Sequence, residues 1–196
     1  MPLIKTIRED IISSEELKET IANCKTPEMK AFVAVLSLSG GRISEVRQLR
    51  AKDIEVIDDD CWTMSLITLK QRPKQWQIPP RRTLKFPRTV LFDKVIKPYI
   101  NNGKFSPEQL LFPKSNTFYW KMLKYANPNV YPHLFRHTRA TMLSERVSSF
   151  DMKEWFGWKC VSMADQYVHN KKAIDNIYQV EKKIQDYCHQ GLAGRG

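Results

Sequence analysis

Two histidines and an arginine are spaced so that one face of a helix carries all three. Residues 133, 136 and 137 fall on the same side of an α-helix, so His133, Arg136 and His137 project side by side. Two hydrogen-bond donors and a fixed positive charge converge there, which suits an anionic group. His133 and His137 also have the spacing of two metal ligands, but no cysteine or carboxylate stands at companion spacing. A solvated basic helix face is the third interpretation.

A second positive charge follows a pair of glycines. Gly40 and Gly41 end one predicted helix and Arg42 opens the next, which places Arg42 where the partial positive charge of a helix end favours anions. The sequence therefore predicts a phosphate site at this corner. A purely structural ion pair between Arg42 and Glu45, three residues further on, is the alternative explanation.

The elements that must position these residues are predicted from capping residues and periodicity. Between residues 53 and 78, apolar residues follow the period of strands around the acidic turn Asp58-Asp59-Asp60, which predicts a small antiparallel sheet. In the helix over 115–126, we expect Phe118, Met122 and Tyr125 on one side. The predicted helices cover residues 13–23, 27 to the Gly40-Gly41 pair, 42–50, 88–100, 115–126, 132–147, 151–158, 161–169 and 171–187.

Composition restricts the class of partner. The 196 residues suffice for one ordinary domain, and the net charge of +11 favours a polyanion, either nucleic acid or an anionic membrane surface. No run of about 18 apolar residues is present, so a membrane-spanning segment is not expected. The four cysteines are far apart, which fits neither a zinc ribbon nor a redox motif. Residues 61–92 contain no acid and seven positive charges, a stretch that fits a DNA backbone or a solvated surface.

Five short motifs follow one another along the chain. They are Arg42-Ile43-Ser44-Glu45, Lys70, His133-Leu134-Phe135-Arg136-His137, Gly157-Trp158 and Tyr167. Their order and spacing resemble the tyrosine recombinase (phage integrase) family from about residue 40 to residue 169. The segments FRHTRAT and FGW…YVH are similar to integrases of archaea and their mobile elements. Trp158 stands where the family commonly has histidine, and Lys74 is the alternative to Lys70 because the family's lysine lies on a variable hairpin.

The resemblance implies a fold and an activity. It implies an α+β fold, a mostly helical DNA breaking-rejoining catalytic domain with a small antiparallel sheet, over residues 1–170, followed by a tail helix within 171–196. The implied activity is site-specific recombination or integration through a 3′-phosphotyrosyl intermediate, with no metal ion and no cofactor. Double-stranded DNA is the expected partner, with a homo-oligomer of up to four copies on it, no membrane association, and an intracellular location.

The resemblance also implies a role for each motif residue. Arg42 and Arg136 answer the charge on the phosphate, Tyr167 is the nucleophile, and His133 assists it. Lys70 protonates the leaving oxygen, and Trp158 packs or donates one hydrogen bond. Glu45 and His137 hold the arginines in place. The residues expected to follow the DNA backbone are Arg72, Lys74, Arg81 and Arg82.

Other functions are compatible with the same residues. A type IB topoisomerase shares the chemistry but pairs no second DNA site, and a DNA-binding relative would leave the tyrosine idle. A zinc-dependent nuclease would use His133 and His137. The chain starts close to the first motif, so we expect either an excised catalytic domain or a minimal form without an amino-terminal clamping domain. The predicted tail helix carries apolar residues that would suit docking on a neighbouring protomer.

Overall fold

The computed structural model describes residues 11–69 and 79–167. The predictions for Lys70, Arg72, Lys74 and the tail helix fall outside these ranges. Within them, the helices are α1 (Ser14–Ala22), α2 (Pro27–Ser39), α3 (Ile43–Val46), α4 (Lys97–Asn102), α5 (Asn116–Ala126), α6 (Pro132–Ser144) and α7 (Ser149–Phe156). No helix in the described ranges is both long and apolar enough to cross a bilayer.

Capping residues explain why the principal helices begin where the sequence predicts. The side-chain oxygens of Ser13, Thr26 and Ser115 each accept a hydrogen bond from a backbone N–H in the first turn of α1, α2 and α5. Proline occupies the first turn of α2 and of α6, where its missing N–H costs nothing. These four predicted helices are confirmed.

The sheet has three antiparallel strands in the order β1 (Ile54–Val56), β2 (Cys61–Ile67) and β3 (Arg81–Pro87). In the register, Met64 of β2 lies opposite Ile54 on one side and Leu84 on the other. The α+β class and the small sheet are confirmed, but β3 lies beyond the predicted strand region. Its buried positions alternate with exposed ones, and one of the buried positions is Arg82.

The hydrophobic core surrounds α2. Residues 31–36 of this helix are fully buried, and Phe32 stacks on Tyr119 of α5 with ring centroids 4.0 Å apart. On the sheet side, Trp62 lies between Phe86 and Phe92, at 4.6 and 4.3 Å. A second, smaller cluster joins α6 and α7 to the end of the described chain; its buried members are Ala140, Met152, Phe156, Trp158, Ala164 and Tyr167.

Three predicted helices differ from the structure. The helix over 42–50 ends at Val46, because a 3₁₀ turn at Ala51–Asp53 and the sheet follow at once. Within 88–100, a π-helical turn at Phe92–Ile96 precedes α4, whose proline at the second position cannot donate to an α-helical ladder. Of 161–169, the described part holds a 3₁₀ turn at Val161–Met163 followed by turns.

The prediction for the buried side of α5 is only partly correct. Met122 is buried, but Phe118 and Tyr125 are exposed. The helix packs instead on a stripe at i, i+3, i+4 and i+7 whose members are Tyr119, Met122, Leu123 and Ala126. Tyr119 decides this orientation, since its ring stacks in the core and its hydroxyl donates to Glu28.

Candidate active site

Arg136 is buried between the ends of two helices. The residue is 3% exposed, and its Nη1 and Nη2 atoms donate to the carbonyl oxygens of Gly40 (2.9 Å) and Phe156 (3.1 Å). Gly40 and Gly157 end α2 and α7 in the left-handed conformation, each with φ of 59°. The carbonyls of a helix C-terminus carry partial negative charge, so two such ends stabilise a buried guanidinium.

Arg42 is fixed by Glu45 at both its backbone and its side chain. The carboxylate of Glu45 accepts from the backbone N–H of Arg42 at 3.0 Å and from its Nη1 at 2.8 Å. Glu45 is completely buried, whereas 20% of the Arg42 side chain stays exposed. The predicted pair is therefore present, and it leaves part of the guanidinium facing outward.

The two arginines line one cleft. Its volume is about 250 Å³, and its walls come from the Gly40-Gly41 corner, α3 and the start of α6. The lining residues are Gly41, Arg42, Ile43, Ser44, Pro132, His133 and Arg136. Residues 94 positions apart in the sequence thus share one basic, open-sided space that an anionic group can enter.

The charges in the site influence one another. Burial lowers the pKa of Arg136, the charges of Arg42 and Arg82 lower it further, and Glu45 opposes them; the resulting pKa of about 9 leaves the guanidinium protonated at neutral pH. For Glu45, burial raises the pKa, but Arg82 and Arg42 outweigh it, so the pKa lies below its ordinary value. The carboxylate is therefore ionised at neutral pH.

Trp158 connects Arg136 to Tyr167. The guanidinium carbon of Arg136 lies 5.8 Å from the Trp158 ring centroid, and the Trp158 and Tyr167 rings are parallel at 5.7 Å. Tyr167 is 6% exposed. Burial raises the pKa of its phenol, and the positive charge of Arg136 opposes the rise without cancelling it. The phenol is protonated at neutral pH, so a nucleophilic role requires a group that takes its proton.

Comparison with known proteins shows the family. The sequence model described as "Phage integrase family" matches residues 10–173. This chain belongs to the phage integrase family. No curated protein matches the sequence of this chain significantly.

Solved structures share the fold. The XerH site-specific recombinase bound to its difH substrate aligns with a TM-score of 0.61 at 18% identity, covering 84% of this chain and 52% of that one. The XerA recombinase aligns at 0.61 and 19%, covering 87% and 65%. The catalytic domain of bacteriophage HP1 integrase aligns at 0.57 and 17%, covering 84% and 93%. The integrase-family chain thus spans between half and two thirds of the recombinases XerH and XerA.

The two histidines of α6 take different places. His133 is exposed and lines the cleft, whereas the ring of His137 packs against Tyr167 with centroids 5.4 Å apart. His137 thus contacts the tyrosine ring. In the described ranges, no group of three or more histidine, cysteine, aspartate or glutamate side chains could hold a metal ion.

One of the two expected DNA contacts on β3, Arg82, needs correction, whereas the contact of Arg81 with DNA stays a prediction. Arg82 is buried, and its guanidinium donates to Glu45, Thr68 and the carbonyl of Trp155. It faces the interior because it occupies an inward position of the strand. Arg81 faces outward but pairs with Asp53. A run of basic residues records charge but not strand alternation, so it does not indicate that Arg82 belongs to the interior of the site.

Proposed function

We propose that this integrase-family protein is a site-specific recombinase that breaks and rejoins DNA through a 3′-phosphotyrosyl intermediate. The observation that carries the proposal is the basic cleft, which holds two guanidiniums and a histidine beside the stack of Trp158 and Tyr167. Fold and family support the class of the protein, and the residues that line the cleft support the proposed chemistry.

Arg42 and Arg136 are proposed to bind the non-bridging oxygens of the scissile phosphate. When a nucleophile attacks phosphorus, negative charge accumulates on these oxygens, and planar, permanently charged guanidiniums donate to them in pairs. Arg136 donates two hydrogen bonds to the helix-end carbonyls, and these bonds fix the plane of its guanidinium before any substrate binds. Such preorganisation lowers the cost of charge development in the transition state.

The proposed first step forms one bond and breaks one. The Oη of Tyr167 attacks phosphorus, the bond from phosphorus to the 5′ oxygen breaks, and the DNA 3′ end stays attached to the tyrosine. The phenol proton passes to a base, for which His133 is the candidate in the cleft. The leaving 5′ oxygen takes a proton, which we assign to Lys70, with Lys74 as the alternative. Attack by a 5′ hydroxyl on the tyrosyl ester reverses the step and joins strands without ATP.

No metal ion is required in this proposal. The two arginines supply the charge stabilisation for which many phosphotransfer sites use divalent cations. We also propose double-stranded DNA inside the cell as the partner, with several copies, up to four, assembled on it. XerH bound to difH and a lambda integrase dimer bound to a core site are complexes that share this fold.

The test uses a pool of nicked duplexes of randomised sequence. Loss of a short fragment at the nick prevents religation, so cleaved DNA remains on the protein and is visible on a denaturing gel. Wild type is expected to give covalent complexes whose DNA reveals the target site, and Y167F none, because it lacks the nucleophilic oxygen. The control is Y125F, which alters an exposed tyrosine of α5.

Other outcomes separate the alternatives. Covalent complexes that remain with Y167F would reject Tyr167 as the nucleophile. Relaxation of supercoiled DNA with no strand exchange between two sites would assign a topoisomerase function. DNA binding without any covalent product would assign a non-catalytic, DNA-binding function. Loss of cleavage on addition of a chelator would favour the zinc nuclease and contradict the metal-free mechanism.

A further inference from the structure

Arg82 makes hydrogen bonds to residues in three separate segments of the chain. Its side chain is 8% exposed, and it donates through Nη2 to Glu45 (2.9 Å), through Nη1 to Thr68 (3.1 Å), and through Nε to the carbonyl of Trp155 (2.9 Å). A buried charge is costly unless it is paired and its donors are satisfied. At this inward position of β3, the paired guanidinium therefore connects α3, the residue that follows β2, and α7.

The bond from Arg82 to Glu45 connects Arg82 to Arg42, because both arginines donate to the same carboxylate. The oxygen of Glu45 that accepts from Arg82, Oε2, also accepts from the backbone N–H of Arg42 at 3.0 Å. The other oxygen accepts from the Arg42 guanidinium. Arg82 therefore fixes the rotation of the carboxylate that holds Arg42 at the cleft.

The bond from Arg82 to the carbonyl of Trp155 connects Arg82 to the residues that hold Arg136. The carbonyl of Trp155 precedes that of Phe156, which accepts from Arg136. At the next residue, a Cβ built on Gly157 would lie 3.2 Å from Nη1 of Arg82, so the end of α7 packs directly on this guanidinium. Arg82 thus anchors the helix end that orients Arg136.

The bond from Arg82 to Thr68 lies just before the segment of the sequence that contains Lys70 and Lys74. Thr68, which accepts from Arg82, is buried, and its backbone N–H donates to the carbonyl of Pro80 at 2.8 Å. This hydrogen bond holds residue 68 next to residue 80. The proposed proton donor, Lys70, follows Thr68 by two residues.

We propose that Arg82 is a positioning residue that sets the orientation of Arg42 and Arg136 toward the phosphate without contacting it. The inference rests on the proposed function, because that function makes a DNA phosphate the group that Arg42 and Arg136 bind; the contacts of Arg82 themselves involve no DNA. Lysine cannot replace Arg82, because one nitrogen on a flexible stem cannot match the three acceptors that the guanidinium fork reaches.

The first test needs no DNA. Crystal structures of wild type, R82K and R81K are compared, R81K being the matched control on the outward side of the same strand. In R82K, we expect the Glu45 carboxylate to rotate and the Arg42 guanidinium to move by about 1 Å or more, a displacement that affects catalysis. In R81K, both stay in place. An R82K structure with Arg42 and Arg136 unmoved overturns the proposal, whatever the protein's activity.

The second test separates positioning from stability. On the duplex selected with wild-type protein, R82K is expected to keep its DNA Kd within about twofold and to lose about tenfold or more in the single-turnover cleavage rate constant. R81K keeps both. A lower yield of active protein with a wild-type rate constant would mean a merely structural role and contradict the proposal.

A milder variant decides the question if R82K does not fold. T68V removes one acceptor of Arg82 at nearly constant volume, and we expect a several-fold loss of the cleavage rate constant with Kd unchanged. A wild-type rate constant in T68V would then overturn the proposal. If wild type itself forms no covalent complex, the proposed function fails, and the structural comparison still decides the role of Arg82.

Discussion

Arg42 lines the cleft with its backbone and its guanidinium both bonded to Glu45, and a fifth of its side chain stays exposed. Arg136 is held in a similar way, because it donates to two helix-end carbonyls and lines the same cleft. At the scale of single residues, the site is built from cations that the protein itself has oriented. This makes the shape of the donor group as important as its charge.

The variant R42K tests that dependence on shape. We expect its cleavage rate constant to fall about a hundredfold, which corresponds to about 3 kcal/mol, because lysine keeps the charge but loses the paired donors. The measurement is single-turnover cleavage of the nicked duplex. R50K is the control, since Arg50 is exposed and pairs with Glu108. A rate constant within twofold of wild type in R42K would exclude a transition-state role for its guanidinium.

The charge of Glu45 gives the stability of the protein a pH dependence. Its folded-state pKa lies below the ordinary value of 4.5, so its contribution to folding is complete above that pH and is lost as the pH falls through the lower folded value. At pH 7, E45Q is expected to lose about 3 kcal/mol of unfolding free energy, because it leaves two arginines without their buried partner. At pH 4 and below, the difference from wild type shrinks.

Urea denaturation at pH 7 and at pH 3 measures the difference in unfolding free energy between wild type and E45Q. The control is E154Q, which changes an exposed carboxylate and is expected to match wild type at both. A wild-type to E45Q difference that is equal at pH 7 and pH 3 would show that the charge of Glu45 does not stabilise the fold.

At the scale of elements, the C-terminal ends of α2 and α7 determine the position of Arg136. Both helices end in a glycine with φ of 59°, and a Cβ at Gly40 would lie 2.7 Å from Cε1 of Phe156. The end of α2 therefore packs on the Phe156 ring of α7 so closely that a Cβ at position 40 would force that ring to shift. The guanidinium of Arg136 lies between the carbonyls of the two helix ends, so this close approach also sets the geometry of the site.

The variant G40A tests the close approach. We expect a loss of unfolding free energy of about 2 kcal/mol or more, since alanine adds left-handed strain of about 1–2 kcal/mol to the steric conflict. Urea denaturation gives the value. G41A is the control, because Gly41 has no positive φ and its nearest contact, to Val46, is 3.0 Å. A loss in G40A no larger than in G41A would contradict this account of the helix ends.

Local signals predicted most of the elements, because caps, prolines and glycines act within a few residues. They predicted α1, α2, α5 and α6, and the motif order predicted which residues to seek in the site. β3 was missed because a buried arginine breaks the apolar alternation that marks a strand. The role of Arg82 depends on partners 14, 37 and 73 residues away, and no local pattern records such contacts.

At the scale of the whole molecule, the net charge of +11 predicts that the affinity for the proposed DNA partner depends on salt. The logarithm of the binding constant is expected to fall linearly with the logarithm of salt concentration. K74Q should reduce the magnitude of the slope by about 0.9 if Lys74 contacts one phosphate. K52Q is the control, because Lys52 is already paired with Glu108. Fluorescence anisotropy across a salt series measures both slopes, and equal slopes in K74Q and wild type would exclude the contact.

The central claim is that Arg42, Arg136 and Tyr167 act on one phosphate. It is tested most directly by a crystal structure with nicked target DNA and vanadate, a mimic of five-coordinate phosphorus. We predict vanadium bonded to the Oη of Tyr167, with both guanidiniums donating to its equatorial oxygens. Vanadium bound to any other residue, or the two arginines bound to different phosphates, would contradict the account.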